Sequence, residues 1–148
     1  MSTESTESHV AENIQTVNEH IKQVCAECGR TANPPRLVAV SKTKPLSAIQ
    51  EAYGGGQRHF GENYVQELTE KSKALKAVAD IKWHFIGHLQ SNKVKLVCRS
   101  PNLFVIETID SEKVARLVNK EWAAHRADPG KALNVMIQVN TSGEEQKS

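Results

Sequence analysis

The sequence predicts an α/β chain built on a parallel sheet. Three observations predict it. Short strand-like segments recur along the chain: Leu37 to Val40, which is apolar and β-branched, then Arg58 to Phe60, Lys82 to Ile86, Leu103 to Thr108 and Leu133 to Val139. Stretches with apolar residues at intervals of three and four separate them, which is helical spacing. No Pro/Gly/Ser linker or short repeat divides the 148 residues, about one ordinary domain. Strands alternating with helices mean βαβ units, hence an open doubly wound sheet or a (β/α) barrel.

Taken in order, MSTESTES is rich in Ser, Thr and Glu, and residues 1 to about 9 read as a solvated tail. It lacks the basic start and apolar stretch of a signal peptide, and its acids argue against a transit peptide. Val10, Ile14, Val17, Ile21, Val24 and Cys28 mark one face of a first helix, with Gly29 at the position of a C-terminal cap. TANPPR, residues 31–36, breaks the chain before Leu37 to Val40. Ser47 and Gln50 have capping-box spacing, which starts a second helix near Ser47. Gly54-Gly55-Gly56 ends it. These glycines follow a helix and precede a strand, the reverse of a phosphate loop.

After the second strand, a third helix is expected from about Glu62, with Asn63 as its N-cap and Val65, Leu68, Leu75 and Val78 inward. Gln90 to Cys98 reads as a short helix, and Asp110 or Ser111 caps the one bearing Val114, Leu117, Val118 and Trp122. Asp128-Pro129-Gly130 turns the chain into the last strand.

Composition narrows the function. Nineteen Lys and Arg against 17 Asp and Glu leave +2, too balanced for a protein acting mainly by counterion release on nucleic acid. The longest apolar runs are four residues, so no membrane span is expected. Three cysteines without a secretory signal imply reduced thiols, and a cytoplasmic location is expected, with a mitochondrial pool as an open alternative. A zinc site would need Cys25 and Cys28 to converge with His84 and His88, whose spacing straddles a strand end.

In either architecture, ligands gather at the C-terminal ends of the strands. Lys42 follows the first strand directly. Burial there disfavours an ammonium, as would Lys44 two residues on if the strand continued. A neutral lysine attacks aldehydes, which is Schiff-base chemistry. Position alone leaves a surface charge the commoner outcome. Asn63 is an N-cap or a polar contact to a ligand above the sheet. His84 alternates with Trp83 and Phe85 and so faces opposite to both. It is a hydrogen-bonded core histidine or, second, a polar group lining a site.

LVAVSKTKP (37–45), FGENYVQEL (60–68), KWHFIGHLQSNK (82–93), NLFVIETIDS (102–111) and VMIQVNTSGEEQKS (135–148) together resemble one family, the pyridoxal-phosphate homeostasis proteins. These are also called the proline-synthetase co-transcribed homologues. The resemblance implies a (β/α)8 TIM barrel like the N-terminal domain of alanine racemase. It implies pyridoxal 5′-phosphate held as a Schiff base on Lys42, with Asn63 and His84 near the cofactor pocket. It implies binding and hand-over of the cofactor to pyridoxal-phosphate-dependent apoenzymes, without turnover, in vitamin B6 homeostasis.

Such a barrel takes about 250 residues. Residues 10–148 are therefore expected to be the N-terminal part of one, its first five strands. The resemblance places the family's phosphate-binding serine and glycine motifs after later strands. Two alternatives stand beside this reading: a pyridoxal-phosphate-dependent amino-acid racemase or decarboxylase, and a half-barrel interaction module that pairs through open edges.

Overall fold

The computed structural model describes residues 9–145. The elements are α1 (Val10–Glu27), β1 (Ala39–Val40), α2 (Leu46–Gly54), β2 (His59–Glu62), α3 (Val65–Ala74) and β3 (Lys82–Phe85). A 3-10 turn (Ser91–Lys93) then runs into α4 (Val94–Cys98), followed by β4 (Leu103–Ile109), α5 (Glu112–His125) and β5 (Asn134–Ile137). Of the tail expected over residues 1–9, only His9 lies within the described residues.

All strand pairings are parallel, and the spatial order is β1-β2-β3-β4-β5. This order decides between the two architectures. A doubly wound sheet reverses at a switch point and carries helices on both faces. An unbroken sequential order with right-handed crossovers puts every crossover helix on one face, as in a (β/α) barrel. The core agrees. Phe60, Trp83, Phe85, Leu103, Ile106 and Ile109 of the strands share one buried cluster with Ile49 and Ala52 of α2, Leu68 of α3, Val94 and Val97 of α4, and Val114 and Val118 of α5. Each such Val, Leu, Ile or Phe side chain contributes roughly 1.5–3 kcal/mol on burial. The chain is thus a five-strand sector of a barrel, with the helix layer on one face of the sheet.

Local differences from the sequence reading have physical causes. β1 is shorter than Leu37 to Val40, because the Leu37 carbonyl is taken by the Gln57 side-chain amide at 2.9 Å. Ser47 caps nothing: α2 begins at Leu46 behind Pro45, which pre-sets the φ of a helix entry. α3 begins at Val65, not Glu62. The sheet keeps Glu62, whose carbonyl accepts from Ile86 N–H at 2.9 Å. The segment from Gln90 divides into the 3-10 turn and α4. Gly54 does end α2, with Gly56 at φ +97° just beyond, and Ser111 caps α5 by accepting from Val114 N–H. β5 is a four-residue edge, exposed throughout. Among the described residues no helix is long and apolar enough to cross a membrane.

Candidate functional site at the carboxyl rim of the strands

Parallel strands bring their C-terminal ends to one rim. Lys42 follows β1, Asn63 follows β2, Gly87 and His88 follow β3, and Asp110 follows β4. Ser41 N–H still donates to the Gly61 carbonyl, at 2.9 Å, so the pairing of β1 with β2 reaches Ser41. The Ser41 side chain points into the helix layer, where its Oγ donates to Glu62 Oε1 at 2.6 Å. Lys42 is the next residue, the first beyond the β1–β2 pairing, at the carboxyl rim.

The chain turns immediately afterwards. Lys44 N–H donates to the Ser41 carbonyl at 3.1 Å, and Thr43 sits at φ +60°. That is the left-handed region, which a turn's third position usually fills with Gly or Asn. The strand therefore does not continue, and Lys44 does not share a face with Lys42. Lys44 lines an apolar hollow of about 540 Å³ between α1, β1 and α2 instead. The half-desolvated position expected for Lys42 is also corrected. Lys42 is exposed, because β1 has a strand neighbour on one side only among the described residues.

Asn63 is not the N-cap of α3; Tyr64 holds that position with an extended backbone. The Asn63 Oδ1 is buried and, among the described residues, has no hydrogen-bond partner. Its backbone presses on Gly87 so closely that a Cβ there would lie 1.9 Å from the Asn63 carbonyl oxygen. A polar hollow of about 320 Å³ opens beside it, lined also by His88, Gln90 and Lys93.

His84 is 1% exposed and faces away from the core cluster that holds Trp83 and Phe85. Its Nδ1 lies 2.6 Å from Glu107 Oε1, and its Nε2 lies 2.8 Å from His59 Nδ1. A carboxylate only accepts, so His84 donates from Nδ1 and accepts at Nε2 from His59. Burial pushes His84 below the usual histidine range. The Glu107 carboxylate opposes this through its hydrogen bond and charge, and Arg36 adds to the lowering. His59 is lowered further, to about 4, by burial first and then by the charges of Arg36, His84 and Lys82. The Phe104 ring packs edge-on against His59, and Arg36 and Lys82 lie over that ring.

Lys42 and Asn63 thus stand at the carboxyl rim, and His84 lies within β3 on the face away from the core cluster. Among the described residues no hydrogen bond joins the three. The sequence reading missed His59 and Glu107; alternation against Phe60 was a signal for His59, whereas Glu107 meets His84 only through the irregular register of β4. It also missed a buried ionic cluster behind Lys42. There Lys71 Nζ donates to Glu62 Oε1 (2.7 Å), Glu67 Oε2 (2.6 Å) and the Ser41 carbonyl (2.7 Å). The i, i+4 spacing of Glu67 and Lys71 was the available signal.

The sequential parallel sheet with its helix layer on one face defines an α/β-barrel protein, here with an exposed amine and a buried amide oxygen at its carboxyl rim. Comparison sharpens the class. Residues 7–146 match the model of the alanine racemase N-terminal domain, and the chain belongs to that family. It is 53% identical over 139 residues to the human pyridoxal phosphate homeostasis protein, covering 90% of this chain and 50% of that protein. The protein of that name from Haemophilus influenzae is 43% identical over 141 residues, 95% of this chain and 57% of the other. The chain therefore spans about half the length of the curated relatives it matches.

Among solved structures, PipY of Synechococcus elongatus with pyridoxal phosphate bound is 36% identical with a TM-score of 0.62, over 76% of this chain and 47% of that one. The crystal structure of an unknown protein from Bifidobacterium adolescentis matches over 100% of this chain and 61% of its own, with a TM-score of 0.81 and 30% identity.

Proposed function

We propose that this chain binds pyridoxal 5′-phosphate through Lys42 and serves in the storage and hand-over of that cofactor, without turnover of an amino acid. The observation that carries the reading is an accessible amine, Lys42, at the carboxyl rim of the strands between two anchored neighbours. The resemblance to a structure with the same ligand bound supports the choice of cofactor. The residues present suit the aldehyde and ring end. Lys42 supplies the amine, and the buried Asn63 Oδ1 is available to a donor on the ligand. His84 is the polar group on the floor, held neutral by burial and oriented by Glu107.

The bond proposed is a reversible imine. The Lys42 nitrogen replaces the aldehyde oxygen, which leaves as water. Reversibility is what a carrier requires, and pyridoxal-phosphate-dependent apoenzymes in the cytoplasm are the recipients proposed.

The test is reduction with borohydride in the presence of pyridoxal phosphate, followed by peptide mass mapping. Labelling is expected on the peptide carrying Lys42 and absent from Lys42→Ala. Equal labelling of the alanine variant overturns the reading. Incubation of the loaded protein with L-alanine should yield no D-alanine; racemised product would make it an enzyme.

A further inference from the structure

Lys42 is exposed, yet the backbone on both sides of it is fixed. On one side lies Ser41, 4% exposed. Its Oγ is bound to Glu62 and its carbonyl accepts from Lys71 Nζ at 2.7 Å. On the other side lies Thr43, whose N–H donates to Glu67 Oε2 at 2.8 Å while its φ is +60°. One ammonium joins the two anchors. Lys71 Nζ spends its three hydrogens on the Ser41 carbonyl, Glu62 Oε1 and Glu67 Oε2. α3 therefore grips the chain one residue before Lys42 and one residue after it.

Stability alone gives no reason for this arrangement. Buried ion pairs are commonly no more stabilising than apolar residues of the same volume. A non-glycine residue in the left-handed region costs roughly 1–2 kcal/mol. Glu62 is fully buried and Lys71 nearly so, with every donor of Lys71 committed. Lys71 is thus withheld from an incoming aldehyde, and Lys42 is left as the accessible amine of the pair. Of the two exposed lysines in the 41–44 turn, Lys42 is the one flanked on both sides by these anchors, and strain and buried charge so placed are what presentation of it requires.

We propose that Lys71, with Glu62 and Glu67, positions Lys42 for attack on the cofactor aldehyde by clamping Ser41 and Thr43. This inference rests on the reading of Lys42 given above. The clamp residues touch none of the reacting atoms; they are positioning residues. They act by holding the 41–44 turn, so that the Lys42 side chain leaves the rim from a fixed backbone.

The test uses the 148-residue chain, pyridoxal phosphate as probe, and the borohydride-trapped fraction at Lys42 below saturation, with a thermal melt in parallel. Glu67→Ala removes the Thr43 anchor from a partly exposed site. It should lower trapping roughly tenfold, about the factor that one hydrogen bond to a charged group is worth. Glu67→Gln keeps an oxygen for Thr43 N–H and should restore most of the trapping. A general loss of packing would not show that rescue. Glu62→Gln combined with Lys71→Met removes the charges together and should also lower trapping. If the alanine variant does not fold, Glu67→Asp carries the test, since it keeps the charge but withdraws the acceptor by one methylene; reduced trapping is expected. Wild-type labelling at Lys42 with unchanged trapping in these variants overturns the clamp alone, as does a glutamine variant no better than alanine. Absence of labelling in the wild type overturns the cofactor reading, and the clamp with it.

Discussion

His59 Nδ1 lies 2.8 Å from His84 Nε2, and each ring is held below the usual histidine range. The pair therefore links stability to pH. Above pH 6.5 both rings are neutral in the folded and unfolded chain and contribute no slope. Between 6.5 and about 4 the unfolded chain binds protons that folded His59 does not. Stability must fall as pH falls through that window. His59 is only partly shielded, so the discounted loss is about 1–2 kcal/mol. Glu67 is depressed chiefly by its hydrogen bond from Lys71, and its contribution is lost only below its unfolded value of 4.5. Urea midpoints at pH 7.5 and 5.5 should differ in the wild type. His59→Gln should flatten the difference.

The contact between Asn63 and Gly87 makes a sharper prediction. A Cβ at Gly87 would lie 1.9 Å from the Asn63 carbonyl oxygen and 2.7 Å from its carbonyl carbon. Both are backbone atoms of an adjoining strand end, so neither can swing aside. Gly87→Ala should cost about 3 kcal/mol. Gly54→Ala is the control. Its Cβ meets nothing within 4 Å, and its φ lies outside the left-handed region. It should stabilise by about 0.4–1 kcal/mol through the unfolded state. Denaturant midpoints moving the same way in both variants would refute the assignment.

The layer order was legible because parallel strands, buried in apolar runs, and amphipathic helices leave opposite periodicities in a sequence. Alternation was enough to turn His84 away from Trp83 and Phe85. What stayed hidden were the contacts that sequence spacing does not record. Asn63 looks like a cap because it follows a strand and precedes a helix. The sheet holds Glu62 for another residue and leaves Tyr64 to start the helix. Lys44 looked like a neighbour of Lys42 because nothing in SKTKP announces a left-handed threonine. The 41–44 turn is fixed by Glu67 and Lys71, more than twenty residues away, and a local pattern has no access to that distance. The same holds for His59 and Glu107, which become partners of His84 only through strand register.

The three thiols offer a test of this burial. Cys28 is exposed at the end of α1, whereas Cys25 and Cys98 are buried. Burial pushes the Cys98 thiol up to about 12, with the Glu121 charge adding to it. The thiolate is the reactive form. At pH 8 about one Cys98 in ten thousand would be ionised, against a few in ten for an ordinary cysteine of pKa near 8.5. Titration of the native chain with a thiol reagent should therefore give one fast equivalent, at Cys28. The other two should follow only at the rate of unfolding, so urea should convert them to fast reactors. Fast modification of Cys98 in the native chain would show that α4 does not seal against α5, and that the core cluster joining Val97 to Val114 and Val118 is open.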